Sequence, residues 1–118
     1  MRRGPMTIAV LLLSATLAAC SSGSGSTNSG GAPTVVKVAI RAGKVVPPTH
    51  RVQVGVGQKV RLEVTSDKAD VLHIHGVNIE KPLVAGKTRI VVFRESQSGL
   101  FEVETHESNL QLLQLEVR

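Results

Sequence analysis

The chain of 118 residues has one cysteine, Cys20, no tryptophan, no tyrosine and two phenylalanines. Its two methionines, Met1 and Met6, both lie at the extreme N-terminus. Each shortage excludes something. With one cysteine there is no internal disulfide, whatever the redox compartment. Two aromatic rings offer little on which to stack nucleic-acid bases. No uninterrupted apolar run reaches the roughly 20 residues that a membrane-spanning helix needs. Beyond residue 20 there is no sulfur ligand at all, neither thiolate nor thioether.

What is present at the N-terminus reads as an address. Arg2 and Arg3 precede a short apolar stretch centred on residues 8–13, the pattern of a secretory signal peptide over residues 1–19. It ends in Leu17-Ala18-Ala19-Cys20, which resembles the lipobox of bacterial lipoproteins. The resemblance implies cleavage before Cys20 and lipid attachment, of the palmitate type, to its sulfur. The expected location is the cell envelope, on the extracytoplasmic side, with the membrane as partner through the anchor. Residues 20–33, "CSSGSGSTNSGGAP", are too poor in apolar residues to pack and are expected to be a flexible linker, with a typical end-to-end reach of roughly 20 Å.

One domain remains, residues 34–118, long enough for a single modest core. Lys and Arg outnumber Asp and Glu by 14 to 9 in the chain, and by 12 to 9 once Arg2 and Arg3 are set aside. The basic residues are scattered along the sequence. The excess is expected to serve solubility and attraction to anionic lipid, not nucleic-acid binding.

Inside the domain no helical periodicity is found. Apolar residues recur at every second position, as in half-buried strands. Val36, Val38 and Ile40 form one such run; Val52, Val54 and Val56 a second; Val60, Leu62 and Val64 a third. Residues 71–79 and 88–94 follow, then Phe101 with Val103, then Leu113, Leu115 and Val117. Turn-forming residues separate them, including Pro47-Pro48, which must lie in a loop or at a sheet edge. About seven short strands of this kind predict an all-β antiparallel sandwich or barrel.

"ADVLHIHGV", "PLVAGKTRIVVF", "SGLFEVETH" and "LLQLEV" together resemble the cupredoxins, including the copper-binding domain of cytochrome oxidase subunit II. Asp70, Val71 and His73 match the Asp-Val-x-His element, and Gly99, Phe101 and Val103 match the strand that leads into the copper loop. The resemblance spans residues 52–117 and implies an all-β, cupredoxin-like antiparallel Greek-key β-sandwich of about seven strands. It also implies that the cysteine ligand should fall at Thr105. A blue-copper centre needs a Cys thiolate with two His and a weak axial ligand. Thr105 cannot supply it and no methionine remains, so the chain is not expected to be a type-1 copper electron carrier.

Two histidines, His73 and His75, are spaced to share one strand face. With His106 and a glutamate, Glu104 or Glu107, they can share one copper or zinc ion. The competing reading is structural: His75 as a buried neutral ring bonded to a backbone carbonyl, His73 at the sandwich rim, His106 solvated. Ser108, Glu107 and His106 are too close together in sequence to converge as nucleophile, base and orienter. The sequence therefore predicts a membrane-anchored, non-enzymatic binding domain, with another envelope protein as possible partner and no cofactor established. The alternative is a copper or zinc binding and delivery protein built on His73, His75 and His106.

Overall fold

A computed structural model describes residues 31–118. The expected signal peptide, Cys20 and nearly all of the expected linker lie outside the described residues. Among the described residues there are nine strands and no helix: β1 (Thr34–Arg41), β2 (Lys44–Val46), β3 (His50–Val54), β4 (Lys59–Ser66), β5 (Asp70–Ile74), β6 (Ile79–Leu83), β7 (Thr88–Arg94), β8 (Gly99–Thr105) and β9 (Gln111–Val117). They form a four-stranded sheet in the order β2-β1-β4-β7 and a five-stranded sheet in the order β3-β9-β8-β5-β6.

The alternation read from the sequence decides which side of each strand faces in. Val36, Val38 and Ile40 of β1, Val60, Leu62 and Val64 of β4, and Val91 and Phe93 of β7 are buried from one sheet. Leu72 and Ile74 of β5, Val103 of β8, and Leu113, Leu115 and Val117 of β9 meet them from the other. The core is almost wholly aliphatic, and each fully buried Val, Leu or Ile contributes roughly 1.5–3 kcal/mol of transfer free energy.

Three features depart from the sequence reading. Strands number nine, because β2 and the edge strand β6 are too short or too polar to show an alternating run. The run at residues 71–79 breaks into β5, a turn and β6; the break falls where Gly76 and Asn78 take positive φ values of 88° and 51°. The sheets are mixed and not purely antiparallel, since β1 runs parallel to β4 and β3 parallel to β9. Side-chain alternation reports the inward face of a strand and is blind to the direction of its neighbour.

Two local devices shape the end of the sandwich that carries the histidines. The first is a bulge. Val103 pairs with Leu113 but Glu104 pairs with Gln111, so Leu112 is an extra residue in β9. Leu112 and Leu113 are therefore both buried, against the period of two. Beyond the bulge the β8–β9 connection closes tightly: Thr105 N–H donates to Leu110 O at 2.9 Å, and Thr105 Oγ1 accepts from Leu110 N–H at 3.3 Å.

The second device is Asp70, which is only 5 % exposed. Its Oδ1 accepts from the N–H groups of Val71 (2.7 Å) and Glu107 (2.9 Å). Its Oδ2 accepts from Ser108 N–H at 3.2 Å and from the Ser108 hydroxyl. Burial pushes the Asp70 carboxyl up, but these four donors outweigh burial and hold it below its ordinary value.

Two substitutions test these packing arguments. Gly76 has no room for a methyl group: a Cβ there would collide with a carboxylate oxygen of Glu95 and lie 2.7 Å from Phe101 Cδ1. Gly76→Ala is expected to lower unfolding free energy by about 2–3 kcal/mol in urea titrations, from positive φ and overpacking together. Asp70→Asn keeps the volume but presents an amide to four donors, at an expected cost of about 2–3 kcal/mol at neutral pH. A carboxyl held low in the fold stabilises it above the unfolded value, and that contribution is lost as pH falls through the folded value. The gap between wild type and Asp70→Asn is therefore expected to narrow between pH 7 and the acid end of the carboxylate range, measured by thermal unfolding.

Candidate metal centre

β5 and β8 lie side by side in the five-stranded sheet, with Leu72 opposite Thr105, His73 opposite Glu104 and Ile74 opposite Val103. Leu72, Ile74, Val103 and Thr105 point into the core, so His73 and Glu104 emerge together on the outer face. On the other side of β5, His73 is paired with Glu80 of β6. His75 follows the end of β5 and keeps to its ladder, its N–H donating to Glu102 O at 3.0 Å. The spacing of two places both rings on the same face, with centroids 4.1 Å apart.

His106 comes from the β8–β9 loop. Its N–H donates to Val71 O at 3.0 Å, and the next two residues are held by Asp70. The ring is thereby directed at His73: His106 Nε2 lies 3.0 Å from His73 Nδ1, with ring centroids 4.9 Å apart in an edge-on arrangement. The same Nε2 is 4.0 Å from Glu104 Oε1, and Glu104 Oε1 is 2.9 Å from His75 Nε2. Three imidazole nitrogens and one carboxylate oxygen thus gather on the outer surface of the sheet. The cluster is open to water, since the side chains of His75, His106 and Glu104 are 42 %, 39 % and 33 % exposed.

His73 Nε2 lies 3.0 Å from Asn78 Oδ1. An amide oxygen only accepts, so Nε2 carries the proton and Nδ1 presents its lone pair toward His106 Nε2. This is the role that partners behind metal-binding imidazoles commonly perform. The hydrogen bond from His75 holds the Glu104 carboxyl below its ordinary value; slight burial opposes it, and the charges of His75, His106 and His73 in their protonated forms add to it. Glu104 is therefore anionic at neutral pH.

The donor set fits a transition-metal ion. Ligands about 2.0–2.2 Å from a tetrahedral centre stand roughly 3.3–3.5 Å apart, within the 2.9–4.0 Å span of the three contacts given above. Two overlapping groups, His73 with His75 and Glu104, and His73 with Glu80 and His106, each have their ligand atoms within 4.8 Å of one another. The donor set does not fit a blue-copper centre. Thr105, at the expected cysteine position, is 1 % exposed and faces the core, on the side of β8 opposite Glu104.

All three histidines expected from the sequence converge. The reading of His75 as a buried ring bonded to a backbone carbonyl is not what is found: it is partly exposed and bonded to Glu104. Of the two candidate glutamates, Glu104 joins the cluster, while Glu107 lends its backbone N–H to Asp70. Ser108 gives its hydroxyl to Asp70, not to His106. His50 stays on the surface, its Nδ1 3.0 Å from Pro48 O. Sequence reasoning missed Asn78 and Glu80. The Asn-after-Gly turn at residues 76–78 was a usable signal for Asn78; Glu80 had none, because β6 itself was not recognised.

The comparisons with known proteins agree with this fold. Over residues 7–108 the chain matches the family model described as a cupredoxin-like domain. No curated protein matches. Among solved structures, reduced auracyanin from Roseiflexus castenholzii superposes with a TM-score of 0.57 at 13 % identity, covering 75 % of this chain and 99 % of that one. The metal-binding domain of a Cu(I)-exporting P-type ATPase from Streptococcus pneumoniae gives a TM-score of 0.58 at 11 % identity, covering 71 % and 84 %. A laccase from Pediococcus acidilactici gives 0.57 at 14 % identity over 70 % of this chain, which spans only 26 % of the laccase. At these identities the structures share the fold and nothing finer. With its two sheets, its strand order and a family match over most of its length, the chain belongs to the cupredoxin-like domain family.

Proposed function

We propose that this protein is an extracytoplasmic, lipid-anchored metal-binding protein that holds one divalent transition-metal ion on the outer face of its five-stranded sheet. Four residues would hold the ion: His73 through Nδ1, His75 and His106 through Nε2, and Glu104 through Oε1. One observation carries the reading: three imidazoles from a strand, a turn and a separate loop meet with a carboxylate, their neighbouring donor atoms 2.9–4.0 Å apart. Solvated histidines on an ordinary surface have no reason to converge in this way.

Donor chemistry narrows the metal. Imidazole and carboxylate suit Cu(II) and Zn(II), whereas Cu(I) favours the thiolate and thioether that this domain lacks. Divalent copper binds such sites more tightly than zinc, so copper is the preferred occupant. Several solved neighbours are named as copper proteins, which supports the assignment. Each residue has a separate task. Asn78 fixes the His73 tautomer. His75 and His106 use an Nε2 proton in their present hydrogen bonds to Glu104 and His73, and that proton must leave Nε2, with Nδ1 protonated, when the ion binds. Glu104 supplies the negative charge that offsets that of the cation. An exposed site with no sulfur ligand suits storage or hand-over of the ion better than electron transfer, and the protein is proposed to act as a carrier and not as an enzyme. The anchor at Cys20 keeps it beside the membrane.

Titration of the full chain carrying Cys20→Ser, which removes the only competing thiol, is expected to show one Cu(II) bound per chain. The complex should display weak ligand-field absorption without the intense blue charge-transfer band of a thiolate. His73→Ala should abolish stoichiometric binding. Asn78→Ala leaves all four ligands in place and should weaken binding by about tenfold, the usual range for a partner behind a ligand. Undiminished copper binding in His73→Ala would rule the centre out.

A further inference from the structure

The basic residues, scattered in the sequence, are sorted by the fold. Alternation along the four-stranded sheet sends Lys37 and Arg41 of β1, Lys59 and Arg61 of β4, and Arg94 of β7 to its outer surface. One carboxylate shares that surface: Glu63, which is divided between Arg61 at 2.8 Å and Lys37 at 3.7 Å. The opposite surface, the outer face of the five-stranded sheet, has the reverse balance. Glu80, Glu102, Glu104 and Glu116 point outward there, against Arg51 and Arg118, the latter 2.9 Å from Glu116. The sandwich therefore has a cationic side and an anionic, histidine-bearing side.

The cationic side is also apolar. Val35, Ile90 and Val92 stand on it at 50 %, 46 % and 52 % exposed. Register places Val35 and Val92 in line on either side of Arg61, with Ile90 in the next outward row, opposite Glu63. Aliphatic side chains framed by cations match a plane of anionic headgroups over acyl chains. Such a plane takes up both kinds of group at once.

We infer that the outer face of the four-stranded sheet lies against an anionic lipid surface, with the histidine-bearing sheet turned away from it. Three observations favour lipid over an acidic protein. The face is broad and lacks the aromatic anchors that usually dominate protein interfaces. Its apolar side chains are aliphatic, and Arg61 separates Val35 from Val92. The chain enters this same sheet, through Thr34 and Val35 of β1, directly from the segment expected to carry the anchor. The inference stands on geometry and charge, and holds whether or not the histidine cluster binds metal.

The test uses the full chain with Cys20→Ser, so that no acyl group contributes, and vesicles of phosphatidylcholine with or without about 30 mol % phosphatidylglycerol. Each Lys or Arg held near such a surface raises partition by roughly fivefold. Lys37→Glu combined with Arg41→Glu should reduce co-sedimentation with anionic vesicles by at least about 25-fold, more strongly at low salt. Arg51→Glu combined with Lys81→Glu changes net charge equally, from the other sheet, and should reduce it far less. Residues 1–19 are common to all variants and cancel. Equal loss from both pairs would show that only net charge matters and would overturn the inference. So would wild-type partition no better into anionic than into zwitterionic vesicles, the result expected if the face serves an acidic protein. Copper titration of Lys37→Glu/Arg41→Glu should match that of the parent, so failure of this face and failure of the metal centre are read separately.

Discussion

Asp70 sits where β5 begins, and its two carboxylate oxygens take four hydrogen bonds from Val71, Glu107 and Ser108. Everything distinctive about the histidine face depends on that arrangement. β5 carries His73, and the turn after it carries His75, but His106 belongs to a connection between two other strands. A loop of that kind is free to swing unless its backbone is held. Asp70 holds the two residues after His106, and Val71 O holds His106 itself. The five residues of the β8–β9 connection, 106–110, are thereby fixed against the strand whose imidazole His106 must meet. A buried carboxylate satisfied by backbone donors is a rigid fixture, because none of its partners can rotate away without leaving a charge unpaired in the interior.

The second constraint is geometric. On a strand, neighbours point to opposite faces, so β8 delivers Glu104 outward and Thr105 inward. The resemblance of the sequence to copper proteins directed attention to position 105, where a threonine replaces the expected thiolate. In the fold that threonine closes the loop through its hydroxyl and faces the core. The metal-binding potential of the chain has no connection with that position. It lies on the other side of the same sheet, built from nitrogen and oxygen donors only.

Charge follows the same rule. Lys37, Arg41, Lys59, Arg61 and Arg94 are spread over 58 residues of sequence and look unclustered there. They occupy outward positions on three strands of one sheet, so pairing gathers them on one face. The bulge at Leu112 is a comparable case: two adjacent leucines look like a broken alternation, yet an extra residue in the ladder allows both to be buried.

Much of the fold was legible in the sequence. Alternating Val, Leu and Ile at 36–40, 60–64 and 113–117 require strands with one buried face, and the absence of any helical period leaves a sandwich as the way to cover those faces. The histidine spacing at 73 and 75 was likewise sufficient to place two rings side by side. Hydrophobic burial writes these features into local sequence, because it acts residue by residue. The sequence was silent on strand neighbours and directions, on β6, and on whether His106 would reach His73 across 33 positions. Those follow from pairing and from a few long-range hydrogen bonds, whose donors and acceptors are backbone groups common to every residue and so leave no mark in the sequence.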